Sequence, residues 1–238
     1  MKTRARPRRD AAPAVFHTKE EYVADFLREG ILSGEIPRGM RLKQADLAKE
    51  LGLSITPVRE ALKLLAAEGY VLGATHRGAI VAPFEAASAS EVIELRTLLE
   101  TRLTVNAMHR MTLSEMEQLQ RLAQDFDHAY AIGDRNAARA ANYRFHRFLY
   151  GLADQPLSFH FVQVLWAKYP FDIINQIGGR VGRASEEHAR IIDAILSRNE
   201  EAAAIATGEH IRAGWIELQA AMDADPALAE TTPANEVA

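Results

Sequence analysis

The sequence predicts a mainly α-helical chain: an N-terminal helix-turn-helix carrying a small β wing, followed by an all-α bundle of six or seven helices. Three observations support this. Leu47 to Leu65 reads as two short helices joined by a turn at Gly52, since Leu47, Ala48 and Leu51 share one face and Val58, Ala61, Leu62 and Leu65 continue at helical spacing. Glu68 to Leu72 and Gly78 to Ala82 read as two short strands around the loop Gly73 to Arg77. Beyond Pro83 the apolar positions recur every three or four residues with no hairpin signal.

The elements follow in order. Met1 to about residue 17, with Arg4, Arg6, Arg8 and Arg9 beside Pro7 and Pro13, is expected to be a disordered basic arm. A first helix is expected over Lys19 to Ser33, with Tyr22, Val23, Phe26, Leu27 and Ile31 inward, before a turn at Ile36 to Gly39. Ser54 is placed to cap the second helix of the motif. Pro57 falls in its first turn, where the missing N–H costs little. Thr56, Arg59 and Lys63 are left outward, polar and net basic, as in a helix that enters a major groove. Residues 84–87 read as a linker. The bundle helices are expected at Ser88–Arg110, Ser114–Ile132, Asp134–Ala153, Leu157–Ile177, Ala184–Ser197 and Glu200–Met222. Thr112 or Ser114, Gly133-Asp134, Pro156, Gly178-Gly179 and Asn199 mark the junctions, and Pro170 should kink or split the fourth. Residues 223–238, Ala/Pro/Thr-rich and acidic, read as a disordered tail.

Charge is segregated along the chain. Residues 1–83 hold 14 Lys and Arg against 10 Asp and Glu, whereas the remainder holds 14 against 22, which gives the overall net charge of −4. A basic head on an acidic body suits nucleic-acid binding, because phosphate neutralisation supplies most of the sequence-independent affinity. No apolar run reaches the ~18 residues of a membrane span, so the chain is expected to act in the cytoplasm. With no cysteine, disulfides and thiolate metal sites are excluded, leaving His and oxygen ligands.

The run Ser54 to Leu62, read with Pro37 to Gly39, Leu47-Ala48, Gly69 and Gly78 to Val81, resembles the GntR family of bacterial transcription regulators over residues 18–83. The resemblance implies a double-stranded DNA operator as partner. It carries DNA contacts onto Ser54, Thr56 and Arg59 of the recognition helix and onto His76, Arg77 and Gly78 of the wing. Arg59 has the alternative reading of a surface ion pair with Glu60 or Glu68. Two departures, Ile55 and Ala45, stand where many relatives have Arg. Ile cannot fork onto a guanine, so the operator should differ from theirs.

In the bundle, Asn142 and His146 share a helix face, and His188 and His210 follow 42 and 22 residues later. Spacing alone leaves a metal site and ordinary core histidines both open. Glu94-Leu95-Arg96 with Leu99-Glu100, Asn142 with Phe145-His146, and Glu187-His188 before His210 resemble the FCD effector-binding domain of the FadR subfamily over residues 88–222. The resemblance implies one divalent ion on Asn142, His146, His188 and His210, zinc first and nickel, manganese or iron as alternatives. Three neutral imidazoles and an amide oxygen would leave that site at +2, which favours a small carboxylate effector, and the chain is expected to act as a homodimer. Arg96 and Tyr143 are candidate contacts of the effector, with ordinary core packing as the alternative reading of Tyr143. Arg96 can alternatively pair with Glu100 at i,i+4 on a solvated face. Two rival functions remain open: a metal-dependent hydrolase with Glu187 or Glu209 as base, and an effector-blind DNA-binding protein.

Overall fold

The computed structural model describes residues 18–225 apart from 76–77, 175–176 and 178–179. The basic arm, residues 226–238 and the wing residues His76 and Arg77 therefore lie outside the described residues.

The head comprises α1 (Lys19–Leu32), β1 (Arg41–Leu42), α2 (Gln44–Leu51), α3 (Ile55–Ala67), β2 (Val71–Thr75) and β3 (Gly78–Val81). A capping box starts α1, in which the Thr18 hydroxyl accepts from Glu21 N–H and the Glu21 carboxylate accepts from Thr18 N–H. Gly52 turns the chain between α2 and α3 at φ 67°, a left-handed conformation that glycine adopts without a Cβ penalty. Ser54 occupies the N-cap position of α3 but its side chain makes no capping bond. Val23, Leu27, Val58, Leu62 and Leu65 form the head core, each with no exposed surface.

The wing differs from the expectation in two respects. A third strand, β1, pairs antiparallel with β3 in the order β1-β3-β2, and two residues are too short for a periodic signal. Strand β2 starts at Val71 and runs on to Thr75, opposite Gly78, so the loop is shorter than the expected 73–77. Gly78 is buried at φ 117°, and a Cβ there would lie 2.0 Å from the Leu42 carbonyl oxygen. Its glycine is thus required by the close approach of β3 to the end of β1.

A single 3-10 turn, Ala86–Ser88, leads into the bundle. Its helices are α4 (Ala89–Arg110), α5 (Leu113–Ala131), α6 (Arg135–Gly151), α7 (Pro156–Lys168), α8 (Phe171–Ile174), α9 (Arg180–Leu196) and α10 (Glu200–Ala224). Thr112 caps α5 in a second capping box, and Asp134 and Asn199 cap α6 and α10 through the backbone N–H groups of Ala137 and Ala202. Pro170 splits the expected fourth helix, ending α7 and leaving Tyr169 extended before α8. Helix α9 starts at Arg180, four residues before the expected Ala184, and α10 runs past Met222 to Ala224.

Head and bundle share buried surface. One apolar cluster runs from Val23, Leu27 and Leu65 to Leu103, Phe145 and Ile191. Polar ties cross the same seam: Tyr70 O–H donates to the Gln163 carbonyl at 2.9 Å, and Arg38 donates to the Tyr169 carbonyl at 3.0 Å.

Candidate functional site

Two separate constellations are built by this architecture. On the head, α3 packs Val58, Ala61, Leu62 and Leu65 inward and leaves Ser54, Ile55, Thr56, Arg59 and Lys63 exposed at the surface. Arg59 and Lys63 share Glu60, at 3.3 and 3.1 Å, and their hydrogen bonds hold its carboxyl below the ordinary value. Exposed pairs of this kind are weak and readily exchanged for a stronger anion such as a phosphate. Glu68, the other partner considered for Arg59, is instead buried and binds Arg28 of α1 through two bonds of 2.8 and 2.7 Å. Gly78, the first residue of β3, is buried against the end of β1.

In the bundle, His146 of α6, His188 of α9 and His210 of α10 converge with one ring nitrogen each, all within 4.8 Å of one another. All three are buried. The Nε2 atoms of His146 and His188 are 3.2 Å apart, and the rings of His146 and His210 stack at 4.9 Å. Burial and the neighbouring imidazoles hold His146 well below its ordinary pKa, burial acts likewise on His188, and His210 is lowered too, so the rings are neutral near pH 7.

The surroundings set their tautomers. Glu187 is held to about pKa 2 despite its burial by hydrogen bonds from His210 and Arg180, so it is an acceptor and His210 Nδ1–H must donate to it, at 2.7 Å. That leaves Nε2 of His210 as a lone pair. Tyr150 O–H donates to Glu100 at 2.9 Å, so His146 Nδ1–H, 3.2 Å from the Tyr150 oxygen, donates to it and its Nε2 is a lone pair as well. Buried lone pairs aimed into one small volume are what a divalent cation satisfies. Two nitrogens each ~2.0–2.1 Å from one ion fall near the observed separation. The carboxylate behind His210 and the hydroxyl behind His146 are the supports metal-ligating imidazoles require. The residues present therefore fit a divalent ion.

Beside this cluster lies a cavity of about 30 Å³ lined by Leu32, Arg96, Arg139, Asn142, Tyr143, His146, Trp166, Phe171 and His210. Asn142, half-buried one turn before His146, is in the wall, and so are Arg96 and Tyr143. Arg96 departs from the solvated reading. It is buried, pairs with Glu100 at 2.6 Å, and lies over the rings of Tyr169 and Phe171 at 4.5 and 5.0 Å. Glu100 also accepts from Trp166 Nε1 at 3.0 Å, so this one carboxylate ties Arg96, Tyr150 and Trp166 together.

The residues overlooked in the sequence are Glu100 as a buried hub, Tyr150, Arg180 and Arg139. Tyr150 stands at i+4 from His146, a spacing that could have drawn notice, although an aromatic there reads first as core. Neither carboxylate considered as a hydrolytic base is available: Arg180 binds both Glu187 oxygens, at 2.9 and 2.7 Å, and Glu209 is exposed beside Arg190. Neither lines the cavity.

The family description "Bacterial regulatory proteins, gntR family" matches residues 19–81, and "FCD domain" matches residues 91–213. A probable D-xylose utilization operon transcriptional repressor of Paenarthrobacter nicotinovorans is 27% identical over 204 residues, 82% of this chain and 87% of its own length. The HTH-type transcriptional regulator McbR of Escherichia coli is 27% identical over 159 residues, covering 64% of this chain and 72% of its own. The solved structure of E. coli McbR/YncC superimposes with a TM-score of 0.72 at 23% identity, over 86% of this chain and 98% of that one. A GntR regulator from Rhodococcus sp. RHA1 gives 0.64 at 23% identity, over 85% and 98%. Among the described residues no helix is long and apolar enough to cross a membrane.

Proposed function

The chain belongs to the gntR family of bacterial transcriptional regulators and carries the family's FCD domain, and from that premise we propose that it is a metal-dependent, carboxylate-responsive member of the FadR subfamily that binds a pseudo-palindromic operator as a homodimer. The observation that carries the reading is the joining, in one chain, of an exposed polar recognition helix to a buried three-histidine centre at a cavity wall.

On the DNA side, Arg59 offers its fork to a guanine or phosphate, with Ser54 and Thr56 beside it and His76 and Arg77 assigned to the wing. Two such heads related by a two-fold axis read two half-sites. Leu95 and Leu98, exposed on one face of α4, are apolar surface of the kind a second copy covers. In the bundle, His146, His188 and His210 with Asn142 hold the ion, zinc first. When bound, it supplies a positive centre for an anionic ligand, since neutral imidazoles and an amide do not cancel its charge. Tyr150 and Glu187 hold the imidazoles of His146 and His210 in the ligating tautomer, and Arg96 with Trp166 fixes Glu100 behind Tyr150. The effector shifts operator affinity only by its differential affinity for the two head arrangements, a coupling of ~1–3 kcal/mol in regulators of this kind.

Metal analysis of the purified, untagged protein beside the His146→Ala/His188→Ala variant tests the centre. About one ion per chain, lost in the variant, is expected; equal metal content in both overturns it. Arg59→Ala is expected to abolish retention of the chain's own upstream DNA while its circular dichroism is unchanged. Retention equal to the parent's removes α3 as the reading element.

A further inference from the structure

Core spacing along α3 would cover Ile55, because Val58 at i+3 and Leu62 at i+7 stand on the same side of the helix and have no exposed surface. Ile55 is instead 49% exposed, and among the described residues of α3 it is the large apolar side chain left exposed. As the first residue of the helix it stands beyond the end of the core stripe that Val58 begins. Its surface neighbours are polar: Ser54 and Thr56 on either side are exposed hydroxyls, and Arg59, one turn on at i+4, is exposed as well. The N-terminal residues of a recognition helix are the ones that reach base edges. Ser54, Thr56 and Arg59 can each donate to a phosphate or a base acceptor, whereas the side chain of Ile55 has no polar atom and gains nothing from a phosphate. The apolar feature that a major groove offers is the C5-methyl group of thymine.

Resting on the operator reading above, we propose that Ile55 is a specificity-determining residue that packs on the C5-methyl of a thymine in each half-site, close to the base or phosphate that Arg59 takes. Four residues of helix rise about 6 Å, less than two base-pair steps of ~3.4 Å, so the two contacts fall within one short stretch of the groove. The contact selects thymine over cytosine, which lacks the methyl and would turn its amino group toward an apolar side chain. Burying one methyl group is worth roughly four-fold in affinity, so two half-sites together give about 15-fold.

The test begins with a random-sequence pool of duplex DNA, from which the full-length protein selects the duplexes it binds. One of these is resynthesised with deoxyuridine in place of thymidine, which deletes the methyl groups and keeps the base pairing. The parent should lose about 15-fold in affinity on full substitution, and roughly four-fold when only the contacted thymine of one half-site is replaced. Ile55→Ala, a change at an exposed position that leaves the buried side of α3 intact, should bind the thymidine and deoxyuridine duplexes alike. Ile55→Val, which keeps a branched apolar side chain, should retain most of the parent's discrimination. Equal binding of the two duplexes by the parent overturns the proposal and leaves the operator reading standing. A loss on deoxyuridine that Ile55→Ala shares in full also overturns it, because the methyl is then read by another residue or through the shape of the duplex. A pool from which the parent selects no sequence overturns the operator reading as well.

Discussion

Replacing Glu187 by Gln removes one negative charge and changes nothing in shape, so its effect follows from the bonds the carboxylate makes. Glu187 accepts from His210 Nδ1 at 2.7 Å and from both Arg180 terminal nitrogens at 2.9 and 2.7 Å. A glutamine has one acceptor oxygen for these donors and turns its own NH₂ toward one of them. Loss of the partner that orients a metal-ligating imidazole costs 10- to 100-fold in metal affinity, about 1.4–2.7 kcal/mol. Arg180 is only 4% exposed and keeps Glu217 at 3.7 Å, so the stability loss should sit near the lower end of the range for a broken buried pair, about 3 kcal/mol. For a chain of this size that lowers Tm by roughly 6–12 °C. Competition for zinc against a chromophoric chelator reads the first quantity, and thermal melting by circular dichroism reads the second. Glu217→Gln, which leaves His210 supported, should keep zinc affinity at the parent value. Unchanged zinc affinity in Glu187→Gln, together with the lowered Tm, would refute the assignment of His210 as a supported ligand and reduce Glu187 to an anchor for Arg180.

Two further outcomes are expected in the head. Gly78→Ala places a methyl 2.0 Å from the Leu42 carbonyl oxygen at a φ that alanine disfavours, which should cost at least ~1–3 kcal/mol and be seen as a lower melting temperature; a parental melt would show that β1 can withdraw from β3. Glu68→Gln should destabilise the chain by about 3 kcal/mol in urea titration, since buried Arg28 then loses the carboxylate that binds two of its nitrogens and keeps its pair with Asp25; a loss below ~1 kcal/mol would show that Asp25 suffices.

The helical ground plan was legible because its determinants are local. Apolar spacing marked the faces of α1, α2 and α3, and Thr112, Asp134 and Asn199 cap where side chains of their type satisfy orphan N–H groups. Pro170 foretold the break after α7. Strand β1 escaped notice because two residues carry no period. The approach of three histidines was only half legible: spacing places Asn142 and His146 on one face of α6, but nothing local says that α9 and α10 turn His188 and His210 toward the same point. Long-range polar pairs left no sequence trace at all. Arg28 finds Glu68 across 40 positions and Arg139 finds Ser33 across 106, while Arg96 joins Glu100 in the interior rather than at the surface.

The contact of α1 with α6 has a consequence for anyone building chimeric biosensors from this scaffold. Beyond the Arg139 bond, Arg144 of α6 pairs with Glu29 at 2.8 Å and Arg147 of α6 pairs with Asp25, which also binds Arg28. Helix α1 is therefore written in two vocabularies, apolar toward α3 and acidic toward α6. A recombination seam placed at the linker, 84–87, would set a foreign α1 against arginines that it was never matched to. Grafting a new sensor bundle beneath this head should therefore carry Asp25, Glu29 and their arginine partners across together, so that the seam follows the charge pattern rather than the linker.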